Sequence, residues 1–416
     1  MSPVAPDAVA AAPGRQWSTV SAHRRQQLFI VVGLIALAFN LRPVAVSVGP
    51  VLPELRAGLS MSATTAGVVT TLPVLCFAFF ALLAPWAART IGIRKVMLGS
   101  LVLAALALFA RAEAPNAVVF ICATVPALAG MATANVLLPS LVKRHFPHRI
   151  GLLTAIYSTA LAVGLTLASV LTVPIAELGG SWRFGLAAWA VTAVLAALPW
   201  LGLLRHDVRP DSGGRATLSV HAVGRTPLGW AMAVFFATQS MQAYAVFGWL
   251  PQIFRDAGYS AQTAGLLLGL TTAVSIPVSF VLPGLVVRVA SPASLILGLC
   301  ACYLAGYVGL IIVPYDGALV WSLLIGLGTG LFPLALTLIG LRARTSDGTA
   351  ALSGFTQSMG YLLAAIGPFM MGALYDVTGG WTVSLTVLVV FLVPQAVAGV
   401  LVSRPRYVED ELATQH

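Results

Sequence analysis

Stretches of about 20 consecutive apolar residues recur along the whole chain, and no other feature restricts its fold as tightly. A helical run of that length matches the hydrocarbon thickness of a bilayer. Lipid offers no partners to backbone N–H and C=O groups, so a spanning segment must satisfy itself as a helix or close into a barrel. A barrel would show short alternating segments, whereas these runs are continuously apolar. The spans are placed at 28–53, 66–88, 94–112, 117–140, 151–174, 184–204, 228–252, 264–287, 294–313, 319–341, 351–375 and 382–403. Only 9% of residues are charged and 59% are hydrophobic, against about a quarter charged in a soluble domain. The expected class is all-α integral membrane, with 12 transmembrane helices.

The net charge of +10 would suggest a nucleic-acid partner in a soluble chain. Here the basic residues sit in the loops, so topology accounts for them and no nucleic acid is expected. With the N-terminus inside, 18 basic residues fall on the inner side and Arg56, Arg111, Arg183 and Arg255 on the outer. Both termini are therefore expected in the cytoplasm of a cell whose cytoplasmic membrane the chain crosses many times. Residues 1–27 lack a cleavable signal pattern and read as a disordered cytoplasmic tail. The further divisions are a bundle over 28–204, a central cytoplasmic loop over 205–227, a second bundle over 228–403 and a tail over 404–416. Cys76, Cys122, Cys300 and Cys302 lie inside apolar runs, and the six histidines lie in loops or tails. Neither set has the spacing of a disulfide framework or a metal site, so no cofactor or metal is expected, and no catalytic cluster of an enzyme.

An internal repeat divides the chain. "LPELRAGLSMSATTAG" (Leu52 to Gly67) and "LPQIFRDAGYSAQTAG" (Leu250 to Gly265) share seven of 16 positions without a gap, at an offset of 198. "ELGGSW", ending at Trp182, and "DVTGGW", ending at Trp381, match at an offset of 199. Both offsets equal a six-span half, so the halves are parallel repeats. Two six-helix bundles around a central cavity make the major facilitator fold.

Within "ALAFNLRPVAVSVGP" (Ala36 to Pro50), Arg42 lies near mid-span, beside Asn40 and before Pro43. A central arginine costs about 2.5–3.5 kcal/mol even on a lenient insertion scale. All thirteen acidic residues fall in loops, tails or span ends, so no carboxylate inside a span can neutralise it. Two readings stand. Pro43 lacks an N–H, which frees the Phe39 carbonyl, and Arg42 could bond to such freed carbonyls. Alternatively, Arg42 lines a hydrated cavity and offers its forked donors to an anionic or electron-rich planar ligand.

"NLRP" followed by "VGPVLPEL", then "AGVVTTLPVLCF", "QSMQAYAVFGWLPQIF", "GLGTGLFPLALTL" and "SMGYLLAAIGPFMMGALYDVTGGW", resemble the cyanate/2-nitroimidazole transporter family of the major facilitator superfamily. The likeness runs from about Leu28 to Val402. It implies a monomeric secondary carrier working by alternating access in a bacterial inner membrane, with cyanate-like or nitroimidazole-like substrates. The alternative is a proton-coupled multidrug or metabolite efflux carrier. By the repeat offset, Ser240 is the counterpart of Arg42, beside Gln239, Gln242 and Tyr244. Gln239 and Gln242 lie three apart, and Gln357 and Tyr361 four apart, so each pair is expected on one helix face. With Arg42 as the polar anchor, the candidate substrate-binding residues are Asn40, Asn135, Tyr157, Gln239, Gln242, Tyr244, Trp249, Phe332, Gln357 and Tyr361. For each polar one, the rival role is an interhelical hydrogen bond. In the Pro85–Val96 loop, Arg89 stands where facilitators commonly carry an aspartate. That leaves either a departure from the usual latch or plain positive-inside anchoring.

Overall fold

A computed structural model describes residues 14–61, 63–203 and 218–414. Twelve long helices follow the apolar runs. In the first half they are α1 (Gly14–Asn40, continued by the short turns Pro43–Val46 and Gly49–Val51), α2 (Ala63–Ile91), α3 (Ile93–Ala112), α4 (Ala117–His145), α5 (Ile150–Leu178) and α6 (Trp182–Leu203). In the second half they are α7 (Pro227–Asp256), α8 (Ala261–Arg288), α9 (Ala293–Ile312), α10 (Ala318–Gly328 continued by Leu331–Leu341), α11 (Ser346–Ala364 continued by Ile366–Thr378) and α12 (Trp381–Ser403).

Eleven of these are long and apolar enough by composition to cross a membrane. The twelfth, α7, has the length, at 30 residues, but carries Gln239, Ser240, Gln242 and Gln252. Gln239, Ser240 and Gln242 are buried inside the bundle, which the bilayer tolerates. Large apolar side chains such as Leu106, Val118, Leu195, Leu266, Phe280 and Val390 stay exposed on the outer surface of the bundle, as lipid contact requires. One boundary needs correction. α1 begins at Gly14, so residues 14–27 of the expected disordered tail are helical. Most of the expected central loop, residues 205–217 of 205–227, lies outside the described residues.

The repeat is a repeat of helix starts. α2 begins at Ala63 and α8 at Ala261, at the offset of 198. α6 begins at Trp182 and α12 at Trp381, at the offset of 199. At the start of α8, the Ser260 hydroxyl caps the Thr263 N–H.

Within the first half, α3 packs on α4 and α6, and α1 on α5 and α6. Within the second, α9 packs on α10 and α12, and α7 on α11 and α12. The halves meet along α5 with α8 and α2 with α11, and α4 also touches α10 and α11. Contact is tight at one end only. There Ser140 donates to the Ser346 carbonyl at 2.8 Å and Lys143 to the Gly340 carbonyl at 3.3 Å. Arg89 donates to the Leu218 carbonyl at 2.9 Å, and Ser358 donates to the Ala78 carbonyl. A Cβ on Gly354 would press on Pro85 and the Ala81 carbonyl, so glycine there lets α11 and α2 close up. α11 shows the asymmetry. Ser346–Ala364 is mostly buried, whereas in Ile366–Thr378 only Gly367 and Met371 are. The bundle is thus shut at the end carrying the loops rich in Lys and Arg and splayed at the other.

Candidate binding site between the two halves

The break in α1 creates the site. The helix runs to Asn40, turns through Leu41 and Arg42, and restarts at Pro43. Proline preorganises a first helical turn but leaves the Phe39 carbonyl without its helical donor. α5 approaches this carbonyl so closely that any side chain at Gly164 would be driven into it. The restarted turn is held by another arginine. Arg111 from α3 is 0% exposed and donates to the Val44 carbonyl at 3.0 Å and the Ser47 hydroxyl at 3.2 Å. The loop-side placement of Arg111 read from the sequence is therefore corrected, since it is a fully buried clasp. Arg111, not Arg42, is the arginine that holds the turn after the break.

Arg42 itself is half-buried and faces a cavity of about 720 Å³, counting its open mouth. From the first half the walls also carry Ser158. From the second half come Gln239, Ser240 and Tyr244 of α7, Ser275 and Ser279 of α8, Thr329 and Phe332 of α10, and Tyr361 of α11. Five of the residues picked from the sequence thus come together: Arg42, Gln239, Tyr244, Phe332 and Tyr361. So do Arg42 and Ser240, its counterpart in the repeat. Ser158, Ser275, Ser279 and Thr329 were not singled out. Ser275 and Ser279, four apart on one helix, left a signal in the sequence, but isolated hydroxyls in apolar spans commonly bond to their own helix.

The Arg42 guanidinium carbon lies 4.9 Å from the centroid of the Phe332 ring. The Tyr361 ring packs edge-on against Phe77, Phe236 and Tyr244, with centroids 5.3, 5.1 and 6.3 Å away. Its buried hydroxyl has no well-formed hydrogen bond, and the guanidinium is close enough to act on it electrostatically. Among the described residues the single ion pair joins Arg344 to Asp410, far from the cavity in the chain. The charge of Arg42 is therefore balanced by no carboxylate among the described residues.

The remaining candidates have other places. Asn40 donates to the carbonyls of Ala36 and Thr192, at 2.8 and 3.3 Å, and accepts from the Thr192 hydroxyl at 2.7 Å. It clasps α1 to α6. Gln242 donates to the Leu388 carbonyl and accepts from the Tyr307 hydroxyl, both at 2.9 Å, inside the second half. It does not share the cavity with Gln239, because three residues along a helix leave about 60° between them and α7 is enclosed on several sides. Asn135 donates to Gln357 at 2.6 Å, and Gln357 donates to Ser353 at 2.8 Å. That pair joins α4 to α11 one turn from Tyr361, towards the shut end, so Gln357 does not share the cavity face of Tyr361. Trp249 donates to the Pro368 carbonyl at 2.8 Å and packs on Trp381. Tyr157 is fully buried among apolar neighbours.

Residues 28–368 match the family model described as Major Facilitator Superfamily. The chain is 36% identical to "Uncharacterized transporter YycB" of Bacillus subtilis, over 92% of this chain and 95% of that one. It is 32% identical to the "2-nitroimidazole transporter" of Escherichia coli, over 92% and 97% of the two chains. It is 29% identical to "Cyanate transport protein CynX" of the same organism, over 84% and 90%. Among solved structures, the Major Facilitator Superfamily transporter FucP in its outward conformation superposes with a TM-score of 0.73, at 16% identity, over 90% of this chain and 98% of that one.

Proposed function

The chain belongs to the Major Facilitator Superfamily as a multi-pass membrane transporter of a small molecule, and on that premise we propose that its solute is a small planar anion or an electron-rich planar molecule held by Arg42. One observation carries this reading. An arginine at the depth of the bilayer faces a cavity between the halves, half-buried, with no carboxylate among the described residues to balance it. A bound anion supplies that balance, and a guanidinium edge matches two coplanar oxygens. The aromatic walls, Tyr244, Phe332 and Tyr361, suit a flat ligand. Two relatives, named as a 2-nitroimidazole transporter and a cyanate transport protein, handle chemistry of this kind.

Transport follows by rocking of the halves about the central site. With the basic loops inside, by the positive-inside rule, both termini lie in the cytoplasm of a bacterial inner membrane and the splayed end faces outward. The protein acts as a monomer, because each chain contains both halves and the whole cavity. A proton-coupled drug carrier would use a buried carboxylate in a span, and the spans hold none.

The test is binding and uptake of 2-nitroimidazole, cyanate and benzoate by the parent and two variants. Arg42→Ala removes charge-assisted hydrogen bonds worth roughly 1.5–3 kcal/mol each, and so about ten- to a hundredfold in affinity. Arg42→Lys keeps the charge, loses the fork and binds more weakly than the parent. Parental affinity and rate in Arg42→Ala would make the arginine structural and the proposal wrong.

A further inference from the structure

Arg42 and Phe332 come from different halves, and each lies at a helix break. Arg42 sits in the turn before Pro43, and Phe332 follows the interruption between Gly328 and Leu331 in α10. The ring is held firmly. Its backbone N–H donates to the Thr329 carbonyl at 3.1 Å, proline follows it, and Phe236 packs 6.0 Å away. Across the cavity floor, the guanidinium lies over this ring at 4.9 Å.

A guanidinium is a flat group with two faces and a rim of five N–H donors in its plane. A ring on one face leaves the rim free. The attraction comes from the ring's quadrupole and strengthens away from water, so it can orient the group without consuming a hydrogen bond. Resting on the reading of Arg42 as the ligand's partner, we infer that Phe332 is a positioning residue. It holds the face of Arg42 so that the N–H rim points at the solute, instead of serving chiefly as an apolar wall. A flexible arginine without this support loses rotamer freedom at the moment of binding, and the ring removes part of that loss beforehand. Because the two residues sit on opposite halves, the contact also links the empty cavity's geometry to the position of the halves.

The deciding experiment keeps the shape of residue 332 and changes its electrons. Mono-, di- and trifluorinated phenylalanines are placed at Phe332, and affinity for 2-nitroimidazole, cyanate and benzoate is measured on the purified full chain in lipid nanodiscs. Affinity is expected to fall stepwise with fluorination, by about two- to thirtyfold across the series. Phe332→Trp should match or exceed the parent, and Phe332→Leu should lie at the bottom. In an Arg42→Gln background the series should be flat. A ligand-free readout runs beside it. The melting-temperature shifts of Arg42→Gln and of trifluoro-Phe332 should be non-additive, as for residues in contact. A flat series on the parental Arg42, or additive shifts in the empty protein, overturns the positioning role. Parental binding by Arg42→Gln overturns the reading of the site and this inference with it. If none of the three probes binds the parent, the proposed solute class fails, and the ligand-free cycle still decides Phe332.

Discussion

Two arginines reach into the membrane region of the first half, and their surroundings assign them opposite work. Arg111 has both terminal nitrogens bonded and the Phe120 ring 5.7 Å away, with no contact with the cavity. Arg42 has an aromatic ring on its face and a cavity at its edge. Replacing Arg111 by leucine strands the Val44 carbonyl and the Ser47 hydroxyl where water is scarce. The cost is about 1–3 kcal/mol, read as a lower melting temperature of the detergent-purified protein. Arg111→Lys restores one donor and should recover part of it. An unchanged melting temperature for both would show that the α1 break stands without its clasp. Arg42 could be picked out from the sequence because its depth in an apolar run is a matter of counting. Arg111 could not, because near a span end a buried arginine and a loop arginine look alike.

At the scale of elements, a short helix, Val408–Ala413, is pinned across the shut end by carboxylates. Glu409 accepts from the N–H groups of Arg344 and Thr345, at 2.9 and 3.0 Å. Glu411 accepts from the Leu228 N–H at 2.9 Å, at the start of α7. Asp410 takes two hydrogen bonds from Arg344, at 2.9 and 2.8 Å. That hydrogen bonding, before the charge of Arg344, holds the Asp410 carboxyl below its ordinary 3.8. The sign follows directly. The folded state favours the ionised form, so the contribution is complete above pH 3.8 and is lost as pH falls through the lower folded value. Docking of this helix should therefore be unchanged on going down to about pH 5 and loosen only in stronger acid. Fluorescence anisotropy of a label at Thr414 checks it. Because the pair is exposed, molar salt should weaken it as well. Loosening near neutral pH would contradict the arrangement.

At the scale of the molecule, the shut end depends on side chains of one half reaching backbone carbonyls of the other. Lys143 meets the Gly340 carbonyl in the last turn of α10, where a helix end favours a cation. The Pro85–Val96 loop, with Arg89 in place of an aspartate, also contributes, through its bond to the Leu218 carbonyl in the segment that links the halves. Removing the Lys143 and Ser140 side chains together should take about 1–3 kcal/mol from this closure. The population then shifts towards the opposite opening. A cysteine at Leu165, on the cavity wall, should react with a membrane-impermeant thiol reagent from outside in a background lacking the native cysteines. In Lys143→Ala/Ser140→Ala that rate should fall. An unchanged rate would show that closure rests on packing alone, and reaction from the inside only would reverse the proposed orientation.

Helix number, most helix boundaries within a few residues, though not the early start of α1 at Gly14, and the pairing of halves were legible in the linear sequence. Each depends on a one-dimensional quantity: the length of an apolar run, the position of a repeated Ser-Ala or Gly-x-Trp, the side on which arginines collect. The depth of Arg42 was legible for the same reason. Which polar side chains reach the cavity was not. Gln239 and Gln242, or Tyr361 and Gln357, sit one helical turn apart or less, and a span enclosed by several neighbours offers each a different one. Only the packed bundle decided that Gln242 bonds to Tyr307 and Gln357 to Asn135. In the same way, only the approach of α3 to the break in α1 brought Arg111 onto the Val44 carbonyl of the restarted turn and left Arg42 with a ring on its face and a cavity beside it. A buried polar group must be satisfied by whichever partner lies within about 3 Å, and that distance is a property of the tertiary fold.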